Sequence, residues 1–93
     1  MLKISVTNGP RQRRLVVEGI LVEPSVAELL SEYIKAKERL DGRELVVDIT
    51  NLSAISRAGE DALLQLIDDH ARFHSGIFMK EVLKQLASKR RLK

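Results

Sequence analysis

The sequence has no cysteine and no tryptophan, and only three of its 93 residues are aromatic. Without cysteine, a disulfide framework, a thiolate metal site and a thiol nucleophile are all excluded. No apolar run approaches the roughly 18 residues that cross a membrane, and the first residues do not form the apolar stretch of a secretory signal. So short a chain forms one small core, which disfavours a deep active-site pocket. We therefore expect a single cytoplasmic domain over residues 1–93 that is not an enzyme and needs no cofactor.

The charge is mildly positive and unevenly distributed. The net charge of +3 is too small to require a nucleic-acid partner. Residues 80–93 carry six basic residues and one acid, a net charge of +5, so residues 1–79 have a net charge of −2. The pattern predicts a slightly acidic body followed by a basic, helical C-terminal tail.

Alternation of apolar and polar residues predicts the strands. Residues 2–7 alternate with a period of two, and Asn8-Gly9-Pro10 then supplies turn chemistry, which favours an N-terminal hairpin with a second strand over residues 15–22. Residues 45–49 are almost entirely apolar, as in a buried parallel strand. Residues 77–79 are interpreted either as a very short fourth strand or as an apolar plug.

Three amphipathic segments predict helices. Ser25 and Glu28 have the spacing of a capping box, which predicts that the first helix begins at Ser25, and Asp41-Gly42 predicts its end. Ser56 is the predicted N-cap of a second helix that continues to Ser75-Gly76, and a third helix follows around residues 82–87. The order of elements predicts an α/β fold, in which β-α units follow the hairpin and about three helices pack against a four-stranded mixed sheet.

Residues 45–66 resemble the signature of the STAS domain, a family that includes bacterial anti-sigma factor antagonists. In that signature an acid ends a buried strand, a serine or threonine follows two residues later, and an apolar residue precedes Asp-Ser-Ser-Gly at the start of a helix. The residues that fit these positions are Asp48, Thr50, Leu52, Ile55, Gly59, Ala62, Leu63 and Leu64. Residues 16–21 resemble the family's strand ending in Gly-x-Leu, so the resemblance covers most of residues 13–73 and implies a STAS-like fold.

The sequence departs from this signature at the regulatory serine. Where the family has Asp-Ser-Ser-Gly, this chain has Ser56-Arg57-Ala58-Gly59, so Arg57 occupies the position of the phosphoacceptor. Arginine is not phosphorylated in that way, and it does not mimic a phosphate because its charge is opposite. The resemblance therefore implies a short, stand-alone STAS-like regulatory domain that binds a protein partner and is not switched by phosphorylation at this position.

Binding to a partner is expected around the start of the second helix. A guanidinium there can hold a carboxylate or phosphate through two hydrogen bonds, but a solvent-facing arginine without a ligand is the favoured interpretation of Arg57 from the sequence alone. Ser56 is a candidate phosphorylation site, but helix capping is its favoured role, and Asp48 is expected to orient the loop after its strand. The predicted partner-binding residues are Ser53, Ser56, Arg57, Ala58, Gly59 and Leu64. The resemblance implies an anti-sigma factor, a kinase-like protein or another regulatory protein as the partner.

Other interpretations stay open. A small nucleic-acid or anion-binding module would use the basic tail, although that tail lacks the aromatic residues that commonly accompany single-strand binding. A homodimer would form through the second helix or an edge strand. His70 and His74 have the helical spacing of two zinc ligands, but the sequence places no third ligand, so no metal site is expected. The basic residues of the tail are Lys89, Arg90, Arg91 and Lys93.

Overall fold

The computed structural model describes residues 2–91, with side chains described through residue 88. Five strands and three helices follow one another along the chain. Their bounds are β1 Leu2–Asn8, β2 Gln12–Leu21, α1 Glu23–Ala36, β3 Glu44–Asp48, β4 Leu52–Ile55, α2 Arg57–Asp68, β5 Arg72–His74 and α3 Ile77–Arg91.

The strands form one mixed sheet. β1 and β2 make the antiparallel hairpin that the Asn8-Gly9-Pro10 turn predicts, and all seven residues of β1 pair with β2. β3 runs parallel to the first half of β2, and β4 runs parallel to its last residues. β5 pairs in parallel with β3, so the strand order is β1-β2-β3-β5, with β4 also on β2.

One face of the sheet forms the core with the helices. On β2, Leu15 and Val17 are fully buried, whereas the alternate residues Arg14, Val16 and Glu18 are half-buried on the opposite face. This alternation follows from the two-residue period of a strand. All three helices contribute to the same core, since the largest fully buried side chains are Leu15, Val17, Leu21, Leu29, Val47, Ile49, Leu63, Leu66 and Met79.

The predicted α/β fold is confirmed, but the described sheet has five strands where the sequence predicted four. β4 and β5 were not predicted, because they have only four and three residues and are too short for a clear alternation. The second helix ends at Asp68, seven residues before the predicted break at Ser75-Gly76. Residues 77–79 are the first turn of α3 and not a strand. Of these three apolar residues, Met79 packs into the core, whereas Ile77 and Phe78 are exposed.

Helix α1 begins earlier than its predicted capping box. Val22 is the N-cap, makes no side-chain cap hydrogen bond, and is followed by Glu23 and Pro24 in the first helical positions. The Ser25 amide donates to the Val22 carbonyl oxygen (2.8 Å), so Ser25 lies inside the helix. The prediction failed because proline is well suited to the first turn itself, and its position there moves the cap towards the N-terminus.

Arginine side chains hold the C-terminal end of α1. The helix ends at Ala36, and both Arg39 and Asp41 have a positive φ of 53° in the loop that follows. The Arg13 guanidinium donates to the Ala36 and Glu38 carbonyl oxygens (2.9 and 2.6 Å) and to the Arg39 carbonyl oxygen (3.2 Å). The bond to Ala36 satisfies a carbonyl group that the helix end leaves without an intrahelical partner, and the other two bonds hold the loop that follows.

Candidate functional site

The parallel strands all end on one side of the sheet, which we call the carboxyl end. β2, β3, β4 and β5 point in the same direction, because each is paired in parallel with another member of the set. Helices α1, α2 and α3 begin immediately after β2, β4 and β5, so three helix N-termini lie there together with residues 49–51 that follow β3. In open α/β sheets, ligands bind beyond the carboxyl ends of the strands.

Ser56 fixes the start of α2. Its hydroxyl oxygen accepts a hydrogen bond from the Gly59 amide (3.2 Å), as predicted for an N-cap. Its own amide donates to the Leu21 carbonyl oxygen at the end of β2 (2.9 Å). The capping role predicted for Ser56 is confirmed, and the same residue attaches the helix start to the sheet.

Gly59 allows α2 to approach the sheet closely. The residue is buried, and a Cβ atom there would lie 2.7 Å from Ile55 Cγ1 and 2.8 Å from the Leu21 carbonyl oxygen. Carbon atoms in favourable contact are about 3.5–4.0 Å apart, so no side chain fits. Gly59, which the sequence placed among the partner-binding residues, has a packing role in the isolated domain, and the neighbouring Ala58 is half-buried.

Ser53 is exposed on β4, but its hydroxyl has a local partner. The Ser53 hydroxyl donates to the Gly19 carbonyl oxygen (3.0 Å), and the Gly19 amide donates to the Asn51 carbonyl oxygen (3.1 Å). Gly19 has a φ of 103°, and the β2–β4 pairing shifts register between Gly19 and Ile20. A β-bulge is therefore present at Gly19, and the Ser53 hydroxyl is hydrogen-bonded to it.

Arg57 differs from these neighbours because its side chain has no partner within the described residues. It occupies the first position of α2 and is exposed, and no hydrogen bond or ion pair from its guanidinium reaches another described side chain or backbone group. The helix start that carries it is fixed by Ser56 and Gly59. The Arg57 guanidinium, unpaired among the described residues, thus lies at a helix N-terminus that hydrogen bonds hold to the sheet, where the backbone also favours negative charge.

Asp48 orients the loop after β3. One carboxylate oxygen accepts from the Thr50 amide (3.0 Å), and the other forms an ion pair with Arg14 (2.8 Å). Burial acts to raise the pKa of the Asp48 carboxyl, but the hydrogen bonds from Thr50 and Arg14 outweigh it and hold that pKa below its usual value. Asp48 is therefore a charged structural residue, as expected from the sequence.

Leu64, the large apolar residue predicted to contact the partner, is not among the large apolar residues that the structure exposes. Leu64 is half-buried and packs against the core. Ile77 and Phe78, in the first turn of α3 at the carboxyl end, are 94% and 56% exposed. The sequence did not identify them, because their apolar character was attributed to a strand or plug. The sequence did contain one signal for this helix start. Gly76 directly precedes α3, and it lies close to the loop after β3.

The remaining sequence candidates form no site among the described residues. His70 follows α2 with a φ of 60° and His74 ends β5, so the two imidazoles do not share a helix face. No group of three or more metal-ligating side chains is placed to hold a metal in the described part of the chain. The basic side chains predicted to form the tail site, Lys89, Arg90, Arg91 and Lys93, lie outside the described side chains.

Comparison with known proteins identifies the fold. No protein-family model and no curated protein matches the sequence. A crystal structure does match: an uncharacterized protein of the DUF3478 family with a SpoIIAA-like fold, from Shewanella loihica PV-4, with a TM-score of 0.53 and 15% identity, covering 91% of this chain and 93% of that one. The chain therefore has a SpoIIAA-like fold, which confirms the STAS-like fold predicted from residues 45–66. Within the described residues, no helix is long and apolar enough to span a membrane.

Proposed function

We propose that this STAS-like domain is a non-enzymatic regulatory module that binds a protein partner at the carboxyl end of its sheet. The contact includes Arg57 and the segment 53–59, and it is independent of phosphorylation at the position of Arg57. The anti-sigma factor or kinase-like partners implied by the STAS resemblance remain the leading class.

The observation that carries the proposal is the free guanidinium of Arg57. The neighbouring hydroxyls of Ser53 and Ser56 are engaged in bonds that hold the fold, whereas Arg57 has no partner in the described residues and faces solvent. Arginine recognises a carboxylate through two parallel hydrogen bonds, which sets the orientation of a partner as well as attracting it. An acidic side chain is therefore the complementary group.

Exposed apolar residues at the same end of the sheet support a protein as the partner. Ile77 and Phe78 lie at the start of α3, and α2 and α3 begin after strands that share this end. Protein interfaces combine a buried apolar or aromatic centre with charged groups that set register. We expect the partner to cover Phe78 with an apolar side chain and to place an acid near Arg57.

The chemistry of Asp48 argues against catalysis. General acid–base catalysis needs a group that exchanges a proton near the working pH. The pKa of Asp48 is lowered, and both its oxygens are engaged by Thr50 and Arg14. This half-buried acid at the carboxyl end is therefore held as a carboxylate, which fits a recognition surface.

The binding proposal is tested by affinity purification with quantitative mass spectrometry, comparing the parent with Arg57→Glu and Phe78→Asp. Both substitutions introduce an acid into the exposed first turn of a helix, which suits a helix N-terminus and should preserve the fold. Arg11→Glu is the matched control, because Arg11 is also exposed and its side chain has no partner among the described groups. A partner recovered with the parent and the control but reduced about tenfold or more with both test variants supports the proposal. Equal recovery with all four proteins contradicts it.

Independence from phosphorylation has a separate test. Mass spectrometry of the protein purified from its native cells, and of the protein incubated with the kinase of a phosphorylated STAS homologue, should find no phosphate on residues 53–59. Stoichiometric phosphate on Ser53 or Ser56 would contradict a module that is not switched in this way.

A further inference from the structure

β1 is an edge strand with few of the features that protect such edges. It pairs with β2 on one side, and no strand of the described chain pairs with its other side. It has seven residues, no proline and an uninterrupted register with β2. Natural edge strands avoid pairing with other chains through short length, proline, bulges or charge, and β1 has only Lys3 among these. The opposite edge, β5, is only three residues long.

The sequence of β1 is complementary to itself in the antiparallel direction. A two-fold axis through Ser5, perpendicular to the sheet, would pair all seven residues of β1 with those of a second copy. In the centre of the strand, apolar Ile4 then faces apolar Val6 and polar Lys3 faces polar Thr7, whereas the end pairs place Leu2 opposite Asn8. No like charges face each other across the axis, and such pairs are the unit of sheet stabilisation.

The burial of β1 agrees with this register. Ile4 and Val6 lie on the core face, since they pair with the buried Val17 and Leu15 of β2. Ile4 is half-buried, but Val6 is 44% exposed. A second copy of β1 would place Ile4 beside each exposed Val6 and continue the apolar face from one copy to the next.

We propose that two copies of this chain associate through β1, in the antiparallel register centred on Ser5, to form a continuous ten-stranded sheet. A strand of seven residues is about 24 Å long, and an interface of one strand pair is smaller than the usual stable interface. The dimer is therefore weak and depends on concentration. Because the two copies of β2 run in opposite directions, their carboxyl ends face opposite sides, and both copies of Arg57 stay free to bind.

Ser5 provides a test because it lies opposite itself. Ser5 is exposed, so lysine or glutamate there is compatible with the monomer fold. Ser5→Lys and Ser5→Glu each place two like charges on directly opposed side chains, whose Cβ atoms are about 5 Å apart, which should weaken the dimer about tenfold or more. An equimolar mixture of the two variants places lysine opposite glutamate and should restore the dimer as a mixed pair. Ser31→Lys, at an exposed serine of α1, is the matched control.

Sedimentation equilibrium over a range of concentrations measures the outcome. The parent and Ser31→Lys should rise from the 10.5 kDa monomer towards twice that mass, whereas each Ser5 variant alone should stay monomeric over the same range. A parent that stays monomeric up to about 1 mM overturns the proposal, since this concentration corresponds to an association of only about 4 kcal/mol. Dimers of the single Ser5 variants as strong as those of the parent would also overturn it, because association would then use another surface.

Discussion

Gly59→Ala tests whether close packing of α2 on the sheet holds the candidate site in place. The added Cβ atom would lie 2.7 Å from Ile55 Cγ1, 2.8 Å from the Leu21 carbonyl oxygen and 3.0 Å from Leu21 Cγ. Leu21 is fully buried, and its carbonyl oxygen is bonded to the Ser56 amide, so it cannot move away without breaking that bond. The strain must therefore displace the start of α2.

The size of the effect follows from two opposing terms. Overpacking a well-packed site costs about 1–3 kcal/mol, and occasionally more. Replacing glycine by alanine in a helix interior gains up to about 1 kcal/mol, and less in the first turn, where Gly59 lies. Because one of the close contacts is with backbone, we expect a net loss of about 2 kcal/mol in the free energy of unfolding, or about 8–16 °C in Tm for a domain of this size.

Urea denaturation followed by circular dichroism at 222 nm measures this loss. Gly76→Ala is the matched control, because a Cβ atom there would lie 3.4 Å from the Thr50 carbonyl oxygen, a distance of ordinary contact. The control should lose no more than about 1 kcal/mol, because alanine is a poorer N-cap than the glycine that it replaces before α3. If Gly59→Ala were as stable as the parent, or if both variants lost stability equally, the close approach of α2 to β2 would not have the energetic role assigned to it.

Three further predictions concern the end of α1 and the loop after β3. Arg13→Ala removes donors to three carbonyl groups and should cost about 1–2 kcal/mol of unfolding free energy, whereas Arg11→Ala should change it by less than about 0.5 kcal/mol in the same urea assay. Arg39→Gly relieves a φ of 53° and should raise Tm, with a gain below about 1 kcal/mol because glycine also adds entropy to the unfolded chain; a lower Tm would refute the strain. The pKa of Asp48 is lower in the folded state, so its contribution to stability is present above the unfolded pKa and is lost as the pH falls through the folded one. Urea titrations should therefore show a smaller loss of stability below about pH 4 for Asp48→Asn than for the parent, and identical pH profiles would contradict this contribution.

The sequence predicted the elements whose signals are local. The hairpin at Asn8-Gly9-Pro10 and the cap at Ser56 depend on turn and capping chemistry within a few residues, and both are present. The capping box at Ser25 was also local, but Pro24 offered a competing start and determined the outcome. Local signals therefore predict an element well where one choice of boundary dominates.

The missed elements depend on tertiary contacts. Residues 52–55 and 72–74 become strands because β2 and β3 are beside them, and no periodicity within three or four residues reveals that. The same dependence on tertiary contacts explains why the exposed apolar residues of the candidate site were not predicted. A sequence pattern shows that residues 77–79 are apolar, but only the fold shows that Met79 is buried while Ile77 and Phe78 face solvent.

The structure also explains how arginine fits where the STAS signature has its serine. The residue before Arg57 must accept a hydrogen bond from the Gly59 amide to cap α2. Serine and aspartate can both do so with a side-chain oxygen. Two residues after Arg57, only glycine fits, because a Cβ atom at Gly59 would collide with Leu21 and Ile55. Arg57, between them, neither caps the helix nor packs against the core, so the fold places little restriction on its side chain. A loss of binding on replacing Arg57, with stability unchanged, would therefore report on recognition and not on the scaffold.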